Sequence, residues 1–255
     1  MNGVRALRKL VKALTEFLIL LKIQLATFRM MGPFALMISG ILPVGMMYVM
    51  CTFAGELSIN QAINIVAGSM VMGLSNTCIA TMGQIIAEMR LTGSLAYYAT
   101  LPIARWRFIL SIATAYLLAG LPSMIIIVAM APIILGHTLM LHPAMLLVLA
   151  LGATALSGIG AAIGLYAPSP IAANVFSLAI SFGFVFLSPV YYPVESMPAL
   201  LGKFSIIVPM TYIARALRGL FQGQTQGLLE CLAVTSLFAL VMMLLVQNRI
   251  KWRER

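Results

Sequence analysis

The chain has 255 residues, of which 62% are hydrophobic and 9% charged. A water-soluble domain carries about 25% charged residues, so the charge here is too sparse to cover a globular surface. The net charge of +10, with six Glu and no Asp, excludes an aspartyl catalytic pair, and the placement of its basic groups points to a membrane rather than to nucleic acid.

Several runs exceed the about 20 apolar residues that cross a bilayer as a helix. They are continuous, unlike the short alternating segments of a membrane barrel. The fold class is therefore an all-α polytopic membrane protein. Residues 1–29 open it. Val4, Leu7, Val11, Leu14, Leu18, Leu21, Leu25 and Phe28 step by threes and fours, one apolar stripe on a helix, with Arg5, Arg8, Lys9, Lys12 and Glu16 mostly off it. This predicts an interfacial amphipathic helix on the cytoplasmic leaflet, its basic groups towards anionic headgroups. A coiled coil has the same spacing, but a membrane span follows directly. Charges interleaved with the apolar residues exclude a signal peptide.

Residues 30–255 form one membrane domain of six spans. Gly32-Pro33 starts the first, over 33–53, which Pro43 should bend. The second, over 61–87, carries Asn64, Ser69, Ser75, Asn76, Thr77, Thr81 and Gln84. Uncharged polar residues in a span bond to neighbouring helices or line a path, packing being the default.

Residues 88–107 are a polar island between two long runs without charge. It holds Glu88, Arg90, Arg105 and Arg107, a Thr92-Gly93 break, the paired Tyr97 and Tyr98, and Leu101-Pro102. Thr92 or Ser94 can start a short helix, and Gly93 permits a close turn before it. Tyr97, Tyr98 and Leu101 offer stiff contact surface to a partner, and Pro102 ends the helix. Glu88 and Arg90 place charges at the membrane edge, to pair with that partner or with the leading helix. The alternative is a solvated connector whose tyrosines sit among headgroups.

Punctuation divides residues 108–194 into spans over 108–135, 143–167 and 171–188, with an outer turn at 136–143 and an inner turn at 167–170. Pro122 and Pro132 should kink the first of these. Gly160 and Gly164 form a G-x-x-x-G, which allows close helix approach. Residues 191–227 are amphipathic and rich in Pro and Gly. Two short outer helices are expected, one capped by Ser196 and running to Phe204, the other capped by Thr211 and running to Phe221. Their apolar density suits re-entry into the outer leaflet, and Arg215 and Arg218 should share a face. The last span covers 228–246, and a basic tail follows. Thirteen of the sixteen basic residues lie in the leading segment, the 88–107 island and the tail, which places both termini in the cytoplasm of a multi-pass cell-membrane protein.

Catalytic chemistry finds no footing. There is no phosphate-binding G-x-x-x-x-G-K-[ST] loop, no H-E-x-x-H and no G-x-S-x-G. Cys51, Cys78 and Cys231 read as small core residues, and His137 and His142 lack companions for a metal site. No ionisable residue sits in the middle of a span, where ion-coupled carriers usually place one.

The motifs E-M-R-L-T-G-S-L…T-L-P at Glu88–Pro102 and S-P-V-Y-Y-P-V-E-S-M-P…V-P-M-T-Y…A-L-R-G-L at Ser188–Leu220, with the leading helix and six spans, resemble the permease subunits of type-2 ABC exporters. The look is that of the daunorubicin-resistance type, with polysaccharide-export permeases a nearby branch. The resemblance implies a subunit without its own nucleotide site, paired with a second permease as a homodimer or related heterodimer. Two copies of an ABC ATP-binding subunit would bind ATP and Mg. Glu88, Arg90, Gly93, Tyr97, Tyr98, Leu101 and Pro102 would form the coupling helix, braced by the leading helix in contact with membrane lipids. Tyr191, Tyr192, Pro193, Glu195, Pro209, Arg215 and Arg218 would belong to the outer gate or exit. The segment departs from many relatives in keeping a single acidic residue, Glu88. Few aromatics line the spans, which favours a small amphipathic, drug-like or lipid-linked cargo over a glycan. A non-transporting membrane anchor is the competing reading.

Overall fold

The computed structural model describes residues 2–55, 58–101, 104–135, 139–192 and 199–249. These form helices α1 (Asn2–Ala54), α2 (Ile59–Ser75), a π-helical segment (Asn76–Thr81), α3 (Met82–Leu91), α4 (Ser94–Thr100), α5 (Arg105–Leu135), α6 (Ala144–Tyr166), α7 (Pro170–Leu187), α8 (Ala199–Ser205), α9 (Pro209–Phe221) and α10 (Leu228–Arg249), with no strand among the described residues. Ile59–Leu91, Trp106–Ile133, Ala144–Tyr166, Pro170–Leu187 and Leu228–Gln247 are each long and apolar enough to cross a bilayer. Gly40–Phe53 of α1 is a shorter apolar stretch. The protein is an all-α polytopic membrane protein.

The second span, α2 through α3, is the core of the bundle. Its most apolar stretch is 89% buried within the chain, against 22% for α7 and for α10. It packs on α1, α5, α6, α7 and α9. Ser58 starts it with a capping box: the Gln61 amide donates to Ser58 Oγ at 3.4 Å, and the Ser58 amide donates to Gln61 Oε1 at 3.0 Å. Several of its polar residues bond sideways or along the helix. Ser75 pairs with Ser181 of α7, Asn174 of α7 donates to Gln84, and Thr77 Oγ1 donates to the Gly73 and Leu74 carbonyls at 3.1 Å. Packing is what these groups serve here.

The G-x-x-x-G of α6 makes its close approach against this helix. A Cβ at Gly160 would stand 2.6 Å from the Ile79 carbonyl, and one at Gly164 would stand 2.5 Å from the Gly83 carbonyl. α6 therefore rests backbone-to-backbone on the π-helical segment and α3.

One expectation is corrected, and three features were not read from the sequence. First, α1 is one helix of 53 residues that runs on through Gly32-Pro33. It is held on both sides of that pair, by buried Leu20 and Gln24 before it and by buried Pro43 and Met47 after it. One missing amide does not end a helix so anchored, and membrane helices accommodate proline. Pro122 and Pro132 also lie inside a helix, α5. Second, the apolar stripe of the leading segment is its outward side. Val11, Leu14 and Leu18 are exposed, while Leu20 and Gln24 are buried. Third, α9 starts at Pro209, whose fixed φ suits a first helical position, and not at a Thr211 cap. Thr211 instead donates to the Ser205 carbonyl at 2.6 Å and pairs with Ser188 at 2.7 Å. Ser196 lies outside the described residues. Fourth, the π-helical segment was not expected at all.

Candidate functional site

Two ends of the bundle carry the residues of interest. At the basic end, α3 stops where Thr92 folds back, its amide and its hydroxyl both donating to the Glu88 carbonyl at 2.9 Å. Gly93 then takes φ +76, a left-handed conformation that favours glycine, and reverses the chain. The Tyr97 amide donates to the Gly93 carbonyl at 3.1 Å and closes the first turn of α4. Leu101 is extended (φ −75, ψ 143), the conformation expected before a proline. Pro102 lies outside the described residues.

α4 is seated by one tyrosine and presents the other. The Tyr98 ring packs on Phe108 of α5 with centroids 4.8 Å apart, and Tyr97 meets it edge-on at 6.0 Å. Burial, and then the neighbouring Tyr97, push the Tyr98 phenol above its ordinary range. Tyr97 itself is 65% exposed. Glu88 is exposed on α3.

Arg90 does not point to the leading helix or outward to a partner. Its guanidinium donates to the Leu165 and Ala167 carbonyls, at the end of α6. The leading helix is reached instead by Arg107, which forms an ion pair with Glu16. Sequence reasoning named both residues and did not join them. They are 91 positions apart, and only opposite charge hinted at the pair.

At the opposite end, the Tyr191 ring lies across Gly68 of α2, and its hydroxyl is 3.2 Å from Met72 Sδ. Tyr192 donates to the Phe186 carbonyl at 2.9 Å. Arg218 of α9 gathers this turn, donating to the carbonyls of Pro189, of Val190 at 2.6 Å and of Tyr192 at 3.5 Å. Arg215 is exposed, 4.0 Å from Glu230 at the start of α10. The two arginines, three apart on α9, thus reach different partners. Pro209 is buried at the start of α9. Gln222 donates to Asn60 at 3.2 Å, tying α9 to α2. Phe204 at the end of α8, and Ile206 and Ile207 between α8 and α9, stand exposed. Pro193 and Glu195 lie outside the described residues.

Among the described residues no group of three His, Cys, Asp or Glu is placed to hold a metal. His142 accepts from the Ala144 amide at 3.1 Å and so helps start α6, and His137 lies outside the described residues. The three cysteines are free thiols.

No curated protein sequence matches the chain. The family model of the ABC-2 type transporter matches residues 13–221, from within α1 to the end of α9. The coupling end and the outer end as far as Phe221 fall inside that match, with Gln222 and Glu230 just beyond it, and with its apolar helices the chain belongs to the ABC-2 type transporter family as a multi-pass membrane permease component.

Proposed function

We propose that the protein is the membrane half of an ATP-driven exporter, with α4 as the helix on which a separate ABC ATP-binding subunit pushes. The observation that carries this is the presentation of Tyr97. It stands exposed on a short helix that a glycine reversal and the Tyr98–Phe108 contact fix to the bundle. A stiff aromatic held this way is the kind of group that dominates protein interfaces. Glu88 lies on the same exposed end, and the extended Leu101 closes the segment. ATP and Mg belong to the partner, two copies of it serving two permeases in the plasma membrane. The low burial of α7 and α10 supports a second permease or lipid on those sides. The outward stripe of Val11, Leu14 and Leu18 supports contact of α1 with the cytoplasmic leaflet, both termini being inside. Tyr191, Tyr192, Pro193, Glu195, Pro209, Arg215 and Arg218 belong to the exit end. The cargo is small and amphipathic or lipid-linked, since few aromatics line the spans where a glycan conduit would use many.

The test is co-expression with an ABC ATP-binding subunit. Tyr97→Ala should abolish co-purification of that subunit while the permease stays folded in the membrane. Undiminished co-purification with Tyr97→Ala would show that α4 is a connector only.

A further inference from the structure

Arg90 lies between the segment that meets the partner and the helices at its back. It stands two residues before Thr92, where α3 turns over into α4. Its guanidinium donates to the carbonyls of Leu165 and Ala167, on either side of the last residue of α6. The final carbonyls of a helix lack intrahelical partners and carry the negative end of its dipole. A planar guanidinium, with several donors fixed in one plane, can serve two of them at once. The Ala167 amide still donates to the Ile163 carbonyl at 2.9 Å, so Arg90 adds to the end of α6 without unwinding it.

The surroundings make this contact stiff. A Cβ added at Gly164 would stand 2.5 Å from the Gly83 carbonyl and 3.1 Å from the Ala87 amide nitrogen, so the two backbones approach closely there. Ala87 of α3, Ala167 of the turn and Ala173 of α7 are buried together. Ser169 accepts from the Ala172 amide at 3.1 Å and starts α7 immediately after the turn. One charged side chain and three small ones therefore join the end of α3 to the turn between α6 and α7. The other route from α4 runs through Tyr98 and Phe108 into α5.

We infer that Arg90 is the positioning residue that carries displacement of α4 to the α6–α7 turn, so that work done by the ATPase reaches α7. This rests on the reading of α4 given under Proposed function. When α4 is pushed, α3 moves with it. The guanidinium holds the turn to α3, and the N-terminus of α7 follows. Without it the small residues still pack, but the turn is free to lag.

The experiment uses the full permease assembled with its ATPase in lipid vesicles. Cys51, Cys78 and Cys231 are replaced by alanine, and a bimane label is placed at Ile171→Cys, an exposed position at the start of α7. With Arg90 present, trapping ATP with vanadate should shift the bimane emission. Arg90→Gln should keep ATP hydrolysis and lose the shift. Arg90→Lys, which can reach one carbonyl, should restore part of it. A full shift with Arg90→Gln overturns the inference. So does joint loss of hydrolysis, shift and folded protein in both variants, which is the mark of a merely structural contact. A parent chain that binds no ATPase overturns the coupling reading and this inference with it. A responding parent beside an unchanged variant overturns this inference alone.

Discussion

Gly164 sets how near α6 comes to α3. A methyl there would stand 2.5 Å from the Gly83 carbonyl, a backbone atom that cannot swing aside. Gly164→Ala should cost about 1–3 kcal/mol through overpacking. Gly45 is the control, an exposed helical glycine with nothing within 4 Å of its added Cβ. Gly45→Ala should gain up to about 1 kcal/mol of helix propensity. Thermal unfolding of the purified protein measures both, and a Gly164→Ala variant as stable as the parent would mean the two backbones do not meet as described. The G-x-x-x-G was legible as a site of close approach, but its partner was not, because small residues do not name what they touch. Arg90 shows the same limit. A basic residue beside a helix stop reads as a surface charge, and its acceptors lie 75 and 77 positions away.

Among the elements, α1 shows what an apolar stripe leaves open. Its stripe of apolar residues was legible, but which side faces the protein was not. In a membrane the lipid is as apolar as a core, so an apolar stripe marks lipid as readily as packing. The buried side instead holds Leu20, Gln24 and Glu16. The Glu16–Arg107 pair has side chains only 18% and 23% exposed, so it should resist screening better than a surface pair. A double-mutant cycle of Glu16→Gln and Arg107→Gln should give a coupling of about 1–2 kcal/mol in thermal unfolding. A coupling of about 0.3 kcal/mol or less would reduce it to an ordinary surface contact. The helix α4 was legible almost to the residue, since a glycine and a proline bound it. The start of α9 was misread because Thr211 resembles a cap, while Pro209 two positions earlier governs the backbone.

For the molecule as a whole, the positions of the five helices long enough to cross a bilayer followed from apolar runs and their punctuation. Their arrangement did not. α7 and the second span are both apolar, yet one is mostly uncovered by the chain and the other almost wholly covered. Orientation rests on the distribution of basic residues. A membrane-impermeant maleimide applied to intact cells should label Lys203→Cys and Gln224→Cys, which are exposed at one end. It should miss Ala96→Cys, exposed on α4 at the other. Labelling at position 96 would invert the topology and place α4 beyond reach of any cytoplasmic ATPase.

The π-helical segment at Asn76–Thr81 bears on how this chain tolerates changes in length. Such a segment behaves as an α-helix holding one surplus residue. Loss of one residue within it lets the helix close up, and everything beyond keeps its bearing on α6 and α7. The same loss within Met82–Leu91 would turn Arg90 and α4 by about 100° about the helix axis. The most enclosed helix of the bundle thus carries slack at its middle and none at its end, and a one-residue gap between this chain and a relative falls most naturally between Asn76 and Thr81.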